Sequence, residues 1–204
     1  MKICIIVEGK TEQAFKPVLV DFLRPRLEKM PKLDFHQYKG CIPTKDKLRR
    51  VVEMRLAGKN AADHVIALTD VYTGPPPYLF QDAFDAKSKM RRWVGDEPRF
   101  HPHAAQYDFE AWLLPYWNTI QDLTGHAMNV PSGNPESVNH GNSPAYRIKE
   151  MFELGKKCRD SYVKPRDAGR ILRENDLTIS IAQCAELKAF VNTILSLSGG
   201  ALIP

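Results

Sequence analysis

The fold is decided near the amino terminus by two consecutive stretches, Lys2-Ile3-Cys4-Ile5-Ile6-Val7 and Glu8-Gly9-Lys10-Thr11-Glu12. After Lys2 the first stretch is apolar without interruption and rich in β-branched residues, which is typical of a central strand in a parallel sheet that is covered on both faces. The second is a tight turn that leads into a helix, because apolar residues recur after it at helical spacing. Pro17 lies inside this helical pattern, and we expect it to kink the helix or to delay its start.

The alternation of strand and helix continues along the chain. Further strands are predicted at 33–38, 64–69 and 99–105, and helices after the N-cap Thr44 and at 78–93, 108–116, 144–154, 165–175 and 179–197. The segment 125–142, rich in Gly, Pro, Asn and Ser, is predicted to be a long loop. This order favours an α/β fold with a mostly parallel sheet and helices on both faces. We expect one domain over 1–204, with an α/β core at 1–118 and a helical C-terminal portion at 143–204 packed on it.

The composition is that of an ordinary globular domain. Apolar residues make up 43% of the 204 residues and charged residues 26%, which excludes disordered, collagen-like and coiled-coil proteins. The apolar runs are shorter than the roughly 18 residues of a membrane-spanning helix, and Glu8 interrupts the first run too early for a secretory signal. The four cysteines lack a Cys-x-x-Cys pair, which argues against structural zinc: Cys4, Cys41, Cys158 and Cys184. We therefore expect a soluble cytoplasmic protein with free thiols.

Acidic residues follow three of the predicted strands. Glu8 comes after the first strand, Asp70 after the third, and Asp108 and Glu110 after the fourth. Because ligands gather at the carboxyl ends of the strands in such sheets, these acids are candidates for one site. Converging carboxylates repel each other unless a hard divalent cation such as Mg²⁺ neutralises them. Glu8 and Glu12 could also serve only to complement a helix dipole, whereas Asp70 enters a proline-rich loop and has no such role.

This set of residues suggests phosphodiester chemistry. Glu8 and Asp70 would hold the metal ion, and one carboxylate would act as general base. Glu110 lies in an apolar segment, where an acid either belongs to a site or pairs with a buried base. A nearby lysine would stabilise charge on the phosphate, and the candidates are Lys10 and Lys164. The turn around Lys10 does not have the spacing of a P-loop, which excludes an ATP site of that kind.

Positive charge is clustered along the chain. The 29 Lys and Arg residues outnumber the 24 Asp and Glu residues, which gives a formal net charge of +5. The clusters lie at 45–50, 87–99 and 156–170, and the last one includes Arg159. Such clusters are the footprint that a polyanion needs, although each could be the solvated face of a helix. The predicted nucleic-acid contacts are Lys45, Arg49, Lys87, Arg91 and Arg147.

Three short blocks resemble the signature of a known family. They are Val7-Glu8-Gly9-Lys10-Thr11-Glu12, Leu68-Thr69-Asp70-Val71-Tyr72 and Gln106-Tyr107-Asp108-Phe109-Glu110-Ala111-Trp112-Leu113-Leu114. In this order they resemble the bacterial and archaeal domain-of-unknown-function family DUF4276, which is similar to the Toprim-like nucleases of the OLD and RloB kind. The likeness continues to the C-terminal end, through Ser143-Pro144 with Arg147, Lys164-Pro165 and Cys184.

The resemblance implies a Toprim-like fold, in which a glutamate after the first strand is the general acid/base and an Asp-x-Asp motif binds Mg²⁺. Those roles fall here to Glu8 and Asp70, but Tyr72 occupies the second aspartate position. Glu110 could supply the missing carboxylate. Tyr107 is a second departure, since relatives often have histidine there. Family members tend to be encoded beside an ABC- or SMC-like ATPase in what look like phage-defence modules, so the resemblance also implies a partner ATPase.

Two functions follow as hypotheses. The first is a nuclease that uses Mg²⁺ or Mn²⁺ to hydrolyse DNA or RNA, as the effector subunit of an antiviral defence module. The second is a non-catalytic Toprim-like subunit that binds nucleic acid or the ATPase, because Tyr72 removes one metal ligand. A small-molecule phosphohydrolase is disfavoured, since no nucleophilic aspartate motif follows the first strand. A homo-oligomer and the choice between DNA and RNA stay open.

Overall fold

The computed structural model describes residues 1–38, 40–73, 76–139, 141–157 and 161–204, so Cys158 and Arg159 lie outside the described residues. Within these ranges the strands are β1 (Lys2–Val7), β2 (Lys32–Gln37), β3 (His64–Asp70) and β4 (Phe100–Ala105). The α-helices are α1 (Lys10–Leu23), α2 (Asp46–Leu56), α3 (Ala83–Val94), α4 (Trp117–Thr124), α5 (Pro144–Leu154), α6 (Lys164–Arg173), α7 (Leu177–Gln183) and α8 (Ala185–Leu197). Short 3₁₀ helices span Arg24–Arg26 and Pro135–Ser137, and a long 3₁₀ helix spans Phe109–Tyr116.

The strands form one parallel sheet in the order β2-β1-β3-β4. Strand β1 is central, and its residues from Ile3 to Val7 are almost completely buried, as the uninterrupted apolar run predicts. The observed strands agree with the predicted ones to within one residue at each end. The parallel sheet confirms the predicted α/β class.

Helices cover both faces of the sheet. Side chains alternate between the two faces along a strand. Accordingly, Cys4 and Ile6 of β1 pack in one core with α2 and α3. Ile3, Ile5 and Val7 pack in the other core with α1, the long 3₁₀ helix and helices α5 to α8. The helical C-terminal portion therefore packs on one face of the sheet, beside α1.

Three helix starts differ from the predictions. Helix α1 begins at Lys10, so Pro17 does not delay it. Lys45, rather than Thr44, occupies the N-cap position of α2. The helix predicted at 78–93 begins only at Ala83, because the side chain of Asp82 caps it by accepting a hydrogen bond from the amide of Asp85 over 2.7 Å.

Two further helix predictions are wrong, because tertiary packing determines the conformation of these segments. The segment predicted as an amphipathic helix at 108–116 is the long 3₁₀ helix, which is buried at every position except Pro115, and α4 follows it. The single helix predicted at 179–197 is divided into α7 and α8 at Cys184, which has extended backbone. Ser180 in α7 donates to the carbonyl of Trp112 over 2.6 Å, so contacts with the long 3₁₀ helix set the position of this break.

The described part of the chain contains no helix with the length and apolar character needed to cross a bilayer. Cys4, Cys41 and Cys184 are free thiols, as predicted for these three residues. Cys4 is buried in the core, where burial raises the pKa of its thiol to about 11, so it is protonated at neutral pH.

Candidate active site at the carboxyl edge of the sheet

The centre of the sheet has a switch point between β1 and β3. These neighbouring strands lead to α1 and α3, which cover opposite faces. Such a point opens a crevice at the carboxyl ends of the strands, where α/β proteins bind ligands. Glu8 follows β1 directly, and Asp70 is the last residue of β3. The hydroxyl of Thr69 and the amide of Asp70, the latter over 3.1 Å, both donate to Oε1 of Glu8, so the two strand ends are tied together.

Five carboxylates act on each other at this edge, and we call Glu8, Glu12, Asp70, Asp108 and Glu110 the carboxylate cluster. Glu8, Glu12, Asp108 and Glu110 are only 7%, 4%, 5% and 0% exposed. Burial raises the pKa of Asp70 well above its ordinary value, and the charges of the other four members raise it further, with Glu8 first. The five groups therefore behave as one electrostatic unit.

The pKa values of three other members are raised as well. Burial raises the pKa of Glu8, although hydrogen bonds to its carboxylate act in the opposite direction. Burial, together with the charges of Glu8 and Glu110, raises the pKa of Glu12 to about 7. Burial and the charge of Glu110 raise the pKa of Asp108 to about 7. Burial first, and repulsion between neighbouring carboxylates second, therefore disfavour the ionised forms of these groups.

Lys164 brings a positive charge to the cluster. Its Nζ lies 3.1 Å from Oε2 of Glu110, and the hydroxyl of Tyr162 donates to the other oxygen of Glu110 over 3.3 Å. Burial lowers the pKa of Lys164, but the charges of Glu110, Asp70 and Asp108 outweigh this effect and raise it. Lys164 is therefore protonated at neutral pH. Glu110 both belongs to the cluster and pairs with a base, which joins the two interpretations that its sequence position left open.

The two carboxylate oxygens of Asp108 differ in their hydrogen bonding. Its Oδ2 accepts a hydrogen bond from the amide of Ala145, in the first turn of α5, over 3.1 Å. Its buried Oδ1 has no hydrogen-bond partner among the described residues. A buried carboxylate oxygen without a partner is costly unless a ligand binds it. Together with the raised pKa values, this all-oxygen donor set fits a hard divalent cation in its chemistry.

The carboxylates of the cluster are not arranged as a metal site in this structure. In the ranges that the structure describes, no three His, Cys, Asp or Glu side chains are arranged to hold a metal ion as they stand. Glu8 accepts from Thr69 and Asp70, and Glu110 is engaged by Lys164 and Tyr162. A cation that binds here would therefore have to draw carboxylates toward itself.

A family comparison covers this whole site. The family model described as a domain of unknown function (DUF4276) matches residues 7–195. The chain belongs to the DUF4276 family. All five members of the carboxylate cluster and Lys164 lie inside the matched region. The family predicted from the three sequence blocks is thereby confirmed.

The DUF4276 chain also shares its fold with two solved structures. The C-terminal region of the Burkholderia pseudomallei OLD protein is 14% identical, with a TM-score of 0.51 over 96% of this chain and 98% of that chain. The C-terminal region of the Xanthomonas campestris pv. campestris OLD protein is 14% identical, with a TM-score of 0.50 over 97% and 95%. These similarities confirm the predicted Toprim-like fold. No curated protein matches the chain.

The two candidate lysines of the DUF4276 chain lie in different surroundings. Lys164 contacts the carboxylate cluster through Glu110. Lys10 is the first residue of α1, and its side chain is exposed. Lys164 is therefore the better placed of the two to act on a phosphate that approaches the cluster.

Two of the predicted nucleic-acid contacts already take part in structural interactions. Lys87 on α3 forms an ion pair with Glu186 on α8, with Nζ 2.6 Å from Oε2. Arg49 on α2 donates to the carbonyl of Trp93 at the end of α3 over 2.9 Å. Lys45 is exposed at the start of α2. Part of the basic character of α2 and α3 is therefore used to join helices.

The remaining two predicted contacts lie on opposite sides of the sheet. Arg91 on α3 donates to the carbonyl of Glu97 over 3.1 Å, and its guanidinium lies 5.5 Å from the ring centroid of Phe100. Arg147 is half-buried on α5, a helix that packs in the core of the other face. The structure therefore does not bring the five basic residues together on one face of the sheet.

Two members of the cluster, Glu12 and Asp108, received no metal-binding or catalytic role from the sequence. Glu12 was interpreted only as a residue that favours a helix start, and its Oε2 does accept from the amide of Gly9 over 3.2 Å. It also lies in the first turn of α1, directly after the turn that carries Glu8, and the charge of Glu8 raises its pKa. Asp108 was noted after the fourth strand, but nothing in the sequence shows that its Oδ1 is buried without a partner.

Proposed function

We propose that this protein is a nuclease that hydrolyses phosphodiester bonds of DNA or RNA with the help of Mg²⁺ or Mn²⁺. The observation that supports it best is the carboxylate cluster at the switch point of the sheet, with Lys164 beside it. A sheet edge that carries these acids would repel a nucleic-acid backbone by itself. It becomes a phosphate site once divalent cations neutralise the acids.

Glu8 and Asp70 are the proposed centre of the metal site, with Glu12, Asp108 and Glu110 around them. Glu8 exerts the largest charge effect on Asp70, so a cation shared by these two carboxylates relieves the largest repulsion. The unpartnered Oδ1 of Asp108 is a further oxygen that can take part. When bound, the cation would grip a phosphate oxygen and neutralise charge on the leaving oxygen.

The residues of the chain would divide the remaining tasks. Lys164 would bind a phosphate oxygen and stabilise the charge that develops on it, while Glu110 and Tyr162 orient the lysine. Glu8 is the general acid/base that the resemblance implies. Glu12, with its pKa raised to about 7, can also take a proton from an attacking water near neutral pH.

The test is cleavage of plasmid DNA, single-stranded DNA and transfer RNA by the wild type, Asp70→Asn and Asp63→Asn. Asp63 is a matched control, because it is an exposed acid at the opposite edge of the sheet that accepts from the amide of Lys2 over 2.6 Å. We expect Asp70→Asn to lose at least about a hundredfold in rate. Asp63→Asn should cleave like the wild type, and EDTA should stop both. Equal rates for all three proteins would remove Asp70 from the mechanism.

A non-catalytic nucleic-acid-binding subunit is the second candidate. It is favoured by Tyr72, which stands in place of a second aspartate and whose hydroxyl accepts a hydrogen bond from Asn139. Calorimetry separates the two candidates. Salt-sensitive binding of nucleic acid without any affinity for Mg²⁺ or Mn²⁺ would favour the second one.

The family resemblance supports a place for this protein in an antiviral defence module, with an ABC- or SMC-like ATPase as its partner. This is tested by adding the ATPase encoded beside the gene to the cleavage assay. Stimulation of the wild type, but not of Asp70→Asn, is expected. A rate that the ATPase leaves unchanged would count against the partnership.

A further inference from the structure

Three tyrosines lie at the same edge of the sheet as the carboxylate cluster. Tyr72 comes two residues after Asp70, and Tyr107 comes directly before Asp108. The ring of Tyr72 stacks on that of Tyr78, with centroids 4.3 Å apart and an angle of 17° between the planes. The centroid of Tyr107 lies 5.3 Å from that of Tyr72. We call these three residues the tyrosine stack.

The tyrosine stack presents an aromatic surface to solvent. Tyr78 is 42% exposed, whereas Tyr72 and Tyr107 are half-buried. Tyr72 covers one face of the Tyr78 ring, and no second aromatic ring among the described residues stacks on Tyr78. A ring that served only to fill the core would be covered on both faces, so this outer ring remains available to a further flat group.

Hydrogen bonds hold two of the rings in place before any ligand arrives. The amide of Tyr72 donates to the carbonyl of Tyr107 over 2.7 Å, which joins the segments after β3 and β4. Asn139 donates to the hydroxyl of Tyr72. Tyr107 has a φ of +67°, a left-handed conformation that is uncommon for a bulky residue and that tends to persist at functional sites.

The outer ring is anchored through its own segment. Phe80, two residues after Tyr78, is only 3% exposed and packs in the core of α2 and α3. Lys89 donates from Nζ to the carbonyl of Leu79 over 2.9 Å. The position of Tyr78 is therefore set by contacts on its C-terminal side, and little ordering is needed when a ligand binds.

We propose that the tyrosine stack is a platform for an unpaired nucleobase of single-stranded nucleic acid. Every base offers a flat face that stacks on an aromatic ring, whereas bases inside a duplex are already stacked on one another. This proposal deepens the proposed function and rests on it for the cleavage step. A base on Tyr78 would place its strand at the edge that carries Asp70 and Asp108, so the substrate is a single strand or an unpaired end.

The test measures binding of a short fluorescent single-stranded oligonucleotide to the 204-residue chain, with Ca²⁺ present. Tyr78→Ala should weaken this binding about tenfold, because stacking of one base is lost. Tyr78→Phe retains the ring and should bind like the wild type. Phe84→Ala is the matched control, since Phe84 is a 77% exposed aromatic residue of α3 outside the stack. An oligonucleotide of abasic sites, which keeps the phosphates, should bind the wild type as weakly as Tyr78→Ala binds the normal strand.

Two results would overturn the platform: equal single-strand affinity of Tyr78→Ala and the wild type, or equal affinity of the wild type for the normal and abasic strands. Asp70→Asn separates this proposal from the nuclease. If the wild type cleaves nothing, while single-strand binding of wild type and Asp70→Asn depends on Tyr78, the platform stands and the nuclease fails. If the wild type cleaves and Asp70→Asn does not, while Tyr78→Ala binds like the wild type, the nuclease stands and the platform fails.

Discussion

Two neighbouring regions bury carboxylates in opposite ways. Asp167, in the first turn of α6, is completely buried and fully compensated: the amide of Val163 donates to it over 2.8 Å, and Arg166 donates to both of its oxygens over 2.9 and 3.1 Å. Lys164 lies three residues earlier in the sequence. It contacts the carboxylate cluster through an ion pair with Glu110. Within the described part of the chain, arginine thus neutralises one buried acid on both oxygens, whereas the carboxylate cluster has the ion pair of Lys164 with Glu110.

An excess of buried negative charge lowers the stability of a fold, so its presence calls for a compensating function. Burial and mutual repulsion keep the pKa of Asp70 well above its ordinary value. At pH 8 the ionised form of such a group costs folding free energy, because the unfolded chain ionises more readily. A bound cation removes this cost. Stability measurements can therefore distinguish a structural acid from an acid that waits for a ligand.

The largest effect is expected from Asp167→Asn, which breaks the compensated pair. Both oxygens of the buried Asp167 accept hydrogen bonds, so the NH2 group of an asparagine would face donors in the core, which costs about 3 kcal/mol of unfolding free energy. Asp70→Asn should instead leave the stability of the metal-free protein unchanged or raise it by about 1 kcal/mol at pH 8. Urea denaturation in EDTA measures both. Equal destabilisation by the two variants would erase the contrast between the regions.

The next effect concerns the lysine at the cluster. Lys164→Met should lower the rate of phosphodiester cleavage about a hundredfold at saturating Mg²⁺, because the developing phosphate charge loses its cation. Lys10→Met is the matched control, and it should cleave within about threefold of the wild type, since its side chain is exposed at the start of α1. The reverse ranking would assign the phosphate contact to Lys10.

A smaller effect is expected from the metal itself. At ten times its dissociation constant, Mg²⁺ should stabilise the folded protein by about 1.4 kcal/mol, or roughly 3 to 6 °C in melting temperature at pH 8. The shift should vanish in Asp70→Asn and remain in Asp63→Asn, which lies at the opposite edge. A shift of the same size in both variants would place the cation elsewhere.

The smallest effect comes from a buried base that stays neutral. Burial, with the charges of Lys87 and His101, lowers the pKa of His103 from 6.5 to about 3. Below pH 6.5 the unfolded chain takes up a proton there and the folded chain does not, so stability falls as the pH falls. Between pH 6.5 and 5.5 the loss is about 1 kcal/mol. His103→Gln, which cannot titrate, should show a correspondingly shallower loss in urea denaturation, whereas an identical slope would contradict the lowered pKa.

Much of the fold could be predicted from the sequence because its strands are strong local signals. A short apolar run rich in β-branched residues, such as Ile3 to Val7, favours a buried strand over a helix, and the observed strands match. The placement of Glu8 and Asp70 at one edge follows from the parallel topology that these runs imply. Elements with strong local sequence signals were therefore predicted correctly.

The errors arise where distant contacts decide the outcome. The break at Cys184 has no glycine or proline to announce it, and it depends on a hydrogen bond from Ser180 to Trp112. The ion pair between Glu110 and Lys164 joins residues 54 positions apart. The roles of Glu12 and Asp108 in the cluster are likewise set by burial, which the acids themselves do not reveal.

The position of Lys164 in the sequence has a consequence for protein synthesis. The five acids lie between positions 8 and 110, whereas the lysine that faces them belongs to α6 in the C-terminal portion. A nascent polypeptide that has left the ribosome only as far as α4 already carries every one of these acids, but not the ammonium group. The edge of the sheet is thus completed only after α6 has been synthesised, and any degradation product truncated before α6 would retain the acids without the lysine that faces them.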